Sequence, residues 1–464
     1  MTSPLPSASR LDKTSELFSS ALAAHGMPSD AIARYTTQHD AANRALDAEG
    51  VPRDTRRRWV VPGRIEVLGK HTDYSGGRSL LCTVERGLVI VAAARDDRAL
   101  HVLDAVRQGR VQIDLASAAT TRSARGWPLY PHTVARRLVR NFGESVGGAH
   151  IAMASGLPSA AGMSSSSALT VGIALALAEC GGLTNTEAWR AALPNRLALA
   201  GYLGALENGV RFESLDGDTG VGTMGGAQDH TAILCSAPER LGMFAWAPPR
   251  FERWVAWNPG HVFAIAVSGV VASKAGAVRG QYNRTARTVA HLLRTWNLRT
   301  HRHDPTLGEA MRSSATAYER LHQLVADDAT AEFTAPHLRR RLEQFREETD
   351  DCVPGAAEAL ANGDLVAFGS FVRHSQHAAE SALENQVPET RMLARSAVEQ
   401  GAIAASAFGA GFGGSVWAMI PAVEADAFLA RWRAAYNSAS PEIAARASWF
   451  TTRPAPPAIE IPLG

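Results

Sequence analysis

Three polar segments rich in glycine or serine, each set between apolar runs, constrain this 464-residue chain more than any other feature. They are PGRIEVLGKHTDYSGG (Pro62 to Gly77), GLPSAAGMSSSSAL (Gly156 to Leu169) and AFGAGFGGSVWAM (Ala407 to Met419). Small residues let a backbone approach a ligand closely. The second segment sets four serines before an apolar, helix-forming run. A helix start presents unpaired N–H groups and partial positive charge, so it attracts phosphate. Hydroxyls there suit a magnesium ion, which prefers oxygen ligands. The same residues would equally serve as a linker capping a buried helix.

Two near-matches to nucleotide motifs fail on spacing. A Walker loop needs four residues between its first glycine and Gly-Lys, then Ser or Thr. Gly63 and Gly69 have five residues between them, and His71 follows Lys70. Gly409, Gly411 and Gly414 satisfy GxGxxG, but a dinucleotide fingerprint follows a strand and opens a helix. This one opens an apparent strand, SVWAMI, with about fifty residues left in the chain.

Around these segments the texture alternates. Residues 1–58 read as a polar start followed by helices. Strand-like runs follow from Trp59: WVVPGRIEVLG, SLLCTVERGLVIVAAARDD, ALHVLDA and GRVQIDLA. A helix is predicted over Tyr130 to Asn141, then a strand at HIAMAS. Residues 214–226, SLDGDTGVGTMGG, are predicted to be a flexible loop. The second half is predicted to open on a strand at Val262–Val267, continue as helices to about Gln400 and end in an extended Pro-rich tail. The mixture implies an α+β fold of two lobes.

Composition excludes other classes. Net charge is +2, which gives no footprint for nucleic acid or an anionic membrane. The Arg56-Arg57-Arg58 run reads as a solvated face. The longest apolar stretch, Ala168 to Ala178, is too short to span a bilayer. The four cysteines form no CxxC pair, so neither zinc nor disulfides are implied. The N-terminus has no signal-peptide core, and a cytoplasmic location is expected.

The first segment carries Arg64, Glu66, Lys70, His71, Asp73 and Tyr74. Such a loop suits hydroxyl recognition, or a salt-bridged surface hairpin. Together the three segments resemble the GHMP kinase superfamily, and its galactokinase family in particular. GRIEVLGKHTDYSGG is similar to that family's GRxNLIGEHTDYxxG, PSAAGMSSSSAL to its serine loop, and GAGFGGSVWAM to its glycine-rich turn and strand. GGAQDHTAIL (Gly225 to Leu234) resembles the segment holding its catalytic aspartate, and KAGAVRGQYNRTAR (Lys274 to Arg287) its basic helix start.

The resemblance implies an N-terminal ribosomal S5-like lobe and a C-terminal ferredoxin-like lobe, with the active site between them. It implies ATP and Mg2+, a monosaccharide substrate phosphorylated at its anomeric hydroxyl, and a monomer or weak dimer. The divisions expected are a helical extension over 1–58, a first domain over 59–245 and a second over 246–464. Asp229 takes the catalytic carboxylate position and Arg64 its partner, which should keep Asp229 ionised. Gly162, Met163, Ser164, Ser165, Ser166 and Ser167 would face the nucleotide, and Ser166 and Glu207 the metal. Lys70, His71, Asp73, Tyr282, Gly411 and Gly413 would contact the sugar.

Two departures stand in the first signature. The family's Asn is Glu66 here, and the Glu before its His is Lys70. An ammonium there suits a carboxylate or phosphate on the substrate, which points to a uronic acid, or it pairs internally with Glu66. The stretch SLDGDTGVGT reads as an insertion, either a lid or a tolerated loop. A sugar sensor that kept the fold and lost catalysis is the alternative function.

Overall fold

The computed structural model describes residues 13–120, 124–158, 161–271 and 276–462. Ser159, Ala160, Lys274 and Ala275, quoted within the motifs above, lie outside them.

The first sheet has eight strands. β1 (Arg57–Leu68), β2 (Arg78–Arg95), β3 (Ala99–Asp104), β4 (Gly109–Asp114) and β5 (Gly148–Ser155) come first in the chain. β6 (Arg240–Ala245), β7 (Arg250–Ala256) and, after four strands of a second sheet, β12 (Ile459–Glu460) complete it. Its order is β12-β1-β2-β5-β3-β4, with β6 beside the start of β2 and β7 outside β6. Among the described residues only the β3–β5 pair is parallel.

Side chains alternate across a strand, so a sheet buried on both faces shows two interleaved apolar sets. Val60, Val89 and Val91 face α1 (Lys13–Ala24) and α2 (Ser29–Ala48), where Phe18, Leu22, Tyr35 and Leu46 are buried. Trp59, Val61, Ile90 and Ala92 belong to the main core with α3 (Leu129–Phe142), α4 (Ser165–Cys180), α5 (Glu187–Ala192), α6 (Arg196–Asn208) and α7 (Gln228–Cys235). The run expected to be a helix over 130–141 is α3.

The second sheet is antiparallel, β11-β8-β10-β9, from β8 (His261–Val267), β9 (Ala404–Phe408), β10 (Ser415–Pro421) and β11 (Ser448–Thr452). One face packs on helices Pro388–Glu399 and Ala425–Ala439 through Leu393, Phe428, Trp432 and Tyr436. The other face, with Phe263, Ile265 and Trp417, joins the main core. Helix α8 (Gly276–Thr300) and helices Leu307–Arg312, Ala317–Leu324 and Ala335–Arg346 share a further core around Leu292, Trp296, Leu321 and Phe345.

The expected divisions need correction. A cut at 245/246 passes through the β6–β7 hairpin, whose pairs run from Arg240↔Ala256 to Ala245↔Arg250. Residues 459–460 also return to the first sheet, pairing with Trp59 and Val60. Loop 214–226 is not free either. Its Asp218 takes the Arg136 guanidinium at 2.9 Å, and Met224 N donates to Asn283 Oδ1 at 2.9 Å. Asn208 brackets Gly225 with both ends of its amide.

Candidate active site

The end of β1 supplies the first groups. Pro62 has no N–H to give the ladder, and the pairing with β2 shifts on both sides of the Arg64–Glu66 step. Two residues apart on one strand, Arg64 and Glu66 share a face. That face lines an open cleft of about 500 Å³. The opposite walls are the start of α7, the end of α6, loop 214–226, Tyr282 of α8 and the turn at Gly409-Ala410.

Arg64 and Asp229 meet there across 165 residues of sequence. Arg64 Nε and Nη2 each lie 2.7 Å from Asp229 Oδ1, and Nη1 donates to Gly162 O at 2.6 Å. Asp229 sits in the first turn of α7, after Gln228, and does not cap it: the cap position is Ala227. The Arg64 N–H also donates to Met163 O at 3.4 Å.

The serine loop therefore closes directly on β1. Gly162 has φ of 72° and Ser164 has φ of 55°, which turns the chain into α4. Ala168 N is bonded to Ser164 O, so the N–H groups of Ser165, Ser166 and Ser167 have no partner inside the helix. Met163 is fully buried and offers its carbonyl to the strand, not to the cleft. Ser165 Oγ reaches Pro158 O at 3.5 Å. Ser164 Oγ is buried with no hydrogen-bond partner among the described residues.

For the metal, the pairing differs from the one expected. Ser166 lies beside Tyr130 of α3, whereas Ser167 lines the cleft and donates to Glu207 Oε2 at 3.4 Å. Thr170 Oγ1 donates to Glu207 Oε1 at 2.7 Å, with His230 Nε2 at 3.3 Å. The shift is one step of helix: α4 turns Ser166 toward α3 and Ser167 inward. One buried carboxylate with hydroxyls around it fits Mg2+, which keeps waters and substrate phosphates as its other ligands. Among the described residues no group of three or more His, Cys, Asp or Glu is placed to hold a metal.

His71, Asp73 and Tyr282 all line the cleft. His71 has φ of 56°; its Nε2 lies 3.2 Å from Ala410 O and its Nδ1 3.0 Å from Tyr74 Oη. Nε2 faces a carbonyl and so carries the proton, leaving Nδ1 to accept from Tyr74. The Tyr282 ring is 5.4 Å from that of His71. Asp73 Oδ2 accepts from Gln228 N at 3.2 Å. Burial pushes its carboxyl up to about 6, against the bonds it accepts.

Lys70 does not join them. It is 1% exposed, and its ammonium donates to Ser406 Oγ at 2.8 Å and Ser375 Oγ at 3.0 Å, away from the cleft. The N–H groups of Gly69 and Lys70 both donate to Glu348 Oε1. Gly411 and Gly413 are also displaced: a Cβ on Gly411 would strike Asn385, and one on Gly413 would strike Val270. Their positive φ values shape the turn, while Gly409 and Ala410 line the cleft.

Glu66, Asn208, Thr223, Gln228 and His230 line the cleft without having been assigned to it from sequence. Gln228 organises two carboxyls. Its backbone N–H holds Asp73, its side-chain Nε2 donates to Glu66 Oε2, and Ser79 Oγ fixes its Oε1. Burial pushes Glu66 up to about 7; Lys70 and Arg64 pull the other way.

Comparison with known proteins fits this geometry. The models described as GHMP kinases N terminal domain, Galactokinase galactose-binding signature and GHMP kinases C terminal match residues 130–204, 50–94 and 356–438. The chain belongs to the GHMP kinase superfamily. Members are phosphotransferases with an alcohol group as acceptor. This GHMP kinase is similar to the galactokinase of Streptomyces coelicolor, 26% identical over 382 residues that cover 80% of this chain and 86% of that one. It is 25% identical to the galactokinase of Roseiflexus sp. over 82% and 87% of the two chains. Lactococcus lactis galactokinase, solved with galactose, superposes with a TM-score of 0.75 at 20% identity, covering 91% of this chain and 99% of that one. The two-lobed α+β GHMP kinase fold follows. No helix among the described residues is long and apolar enough to cross a membrane.

Proposed function

We propose that this GHMP kinase transfers the terminal phosphoryl group of ATP to the anomeric hydroxyl of a galactose-type monosaccharide, giving the sugar 1-phosphate and ADP. The observation that carries the reading is the Arg64–Asp229 pair, 2.7 Å apart on the wall that also presents Ser167, Glu207, His71 and Asp73.

Phosphoryl transfer asks for positioning and charge neutralisation more than covalent help. Asp229 Oδ2 lies beside the oxygen held by Arg64 and accepts the hydrogen bond of the attacking hydroxyl, then its proton as the new P–O bond forms and the bond to ADP breaks. Arg64 spends one Nη1 donor on Gly162 O and holds Asp229 through Nε and Nη2. A guanidinium has five N–H groups, so donors remain on Nη1 and Nη2 for the transferring oxygens. The start of α4 supports the ATP phosphates. Ser167 and Glu207 would hold Mg2+, which supplies charge neutralisation on the phosphates. His71, Asp73 and Tyr282 orient the sugar.

A uronic acid finds little support. Lys70 faces Ser375 and Ser406, and the carboxyls of Glu66 and Asp73 line the cleft instead. We propose ATP and Mg2+ as the cofactors, and Ser167 with Glu207 as the metal ligands. The test is a screen of neutral, amino and acidic hexoses with ATP, with product NMR and Asp229→Asn as control. A hexose 1-phosphate that Asp229→Asn does not make supports the reading. Sugar and nucleotide binding with no turnover across the screen would overturn it in favour of a sensor.

A further inference from the structure

The cleft contains an acceptor that no described residue uses. Glu66 is 3% exposed and lines the cleft. Gln228 Nε2 holds its Oε2, and Ser79 pins the far end of that same amide, so the carboxyl cannot swing. Its Oε1 is buried with no hydrogen-bond partner among the described residues. A buried acceptor left unpaired costs about 1–3 kcal/mol. A bound ligand offering a donor to Oε1 removes that cost.

The charges around it narrow the donor. Among the described residues four carboxyl groups line the cleft, Glu66, Asp73, Glu207 and Asp229, against one guanidinium, Arg64. Arg64 is held to Asp229. Glu207 is set among hydroxyls where the metal would sit. Glu66 and Asp73 remain, linked through Gln228, with no lysine or second arginine on the wall among the described residues. Lys70, the one cation that the sequence places in this loop besides Arg64, is turned onto two serines.

We propose that Glu66 is a specificity-determining residue, its free Oε1 taking a positively charged amine of the sugar, so that the enzyme selects amino hexoses over neutral and acidic ones. An ammonium bonded to a carboxylate makes a charge-assisted hydrogen bond, roughly twice as strong as that of a hydroxyl. A uronate brings a third negative group against Glu66 and Asp73 and is repelled. Asn, the residue that the galactokinase signature carries at this position, has no charge to attract an amine. The assignment rests on the sugar-kinase reading above.

The test compares galactosamine, galactose and galacturonate at about pH 7.5, above the value of about 7 to which burial pushes Glu66, in the wild type and in Glu66→Gln. The wild type should show kcat/KM for galactosamine about ten-fold above galactose, with galacturonate lower still. Glu66→Gln keeps the size of the side chain and removes its charge, and should erase the galactosamine-to-galactose ratio. A wild type that prefers galactose or galacturonate overturns the proposal. So does a variant that keeps the wild-type ratio. Should the variant not fold, the wild-type ratios decide alone. Should no hexose be phosphorylated, the sugar-kinase reading fails, and calorimetric titration of the same three sugars still tests Glu66.

Discussion

Glu66 also leaves a mark on stability that can be measured without any substrate. Its carboxyl has an ordinary value of 4.5 and is pushed to about 7 by burial. The folded protein therefore holds a proton here, through the pH range 4.5 to 7, that the unfolded chain has released. Stability must fall with rising pH wherever the folded state binds more protons. At about 1.4 kcal/mol for each tenfold change in proton affinity, the loss across that window is on the order of 3 kcal/mol. The groups that act on this carboxyl are Arg64, Lys70, Gln228 and Glu348, and they remain in the variant. Glu66→Gln cannot titrate. Urea unfolding of both proteins at pH 4.5 and pH 8 isolates the effect, because every other titrating group cancels in the difference. The wild type should lose roughly 3 kcal/mol more than the variant on going to the higher pH. Parallel pH profiles would mean that Glu66 is solvated or ionised throughout, and the picture of a dry, clamped carboxyl would be refuted.

Asp229→Asn should lower kcat by about 10²–10⁴-fold with little change in the KM for ATP, since it removes the proton acceptor and leaves the serine loop intact; steady-state kinetics check this. Gly226→Ala would set a Cβ 2.4 Å from Asp73 Oδ2, so the sugar KM should rise by about ten-fold while the KM for ATP holds. Lys70→Glu, which restores the galactokinase signature residue, puts a carboxylate beside Glu348 in a fully buried site. It should cost about 3–5 kcal/mol, read from the urea midpoint; a loss under about 1 kcal/mol would show that the site rearranges freely.

How far the sequence could be read depends on the kind of residue. The helix over α3, the strand β10 and the helix start at Ser165 follow from local patterns, and the structure has them within one or two residues. The Arg64–Asp229 meeting needed motif likeness, because no local rule joins positions 165 residues apart. Lys70 was misjudged for a physical reason. The chain leaves β1 through Gly69, with φ of 110°, and the alternation of faces ends there. The ammonium then follows the nearest hydroxyls, which come from a helix and a strand more than three hundred residues away. Glu66 was legible in principle: it lies two residues beyond Arg64 on the same strand, so it shares that residue's face. Ser167 needed the rotation of α4, which a run of four serines does not reveal. The bonds that tie down loop 214–226 come from Arg136 and Asn208, which belong to no motif, and from Asn283, which the basic helix start contains without marking it for this contact.

Gly162 is one place where main chain of the two lobes meets. Its carbonyl takes the Arg64 guanidinium, and a Cβ on Gly409 would lie only 2.7 Å from that same oxygen. A Cβ on Gly162 would in turn press on Phe408 O at 3.1 Å, and Ser415 Oγ bonds Ala161 O. Bare main chain meets bare main chain, with no rotamer between them to absorb a displacement. The position of the Arg64 guanidinium is thus set by main chain of one lobe resting on main chain of the other, and a side chain added at Gly162 or Gly409 would shift it.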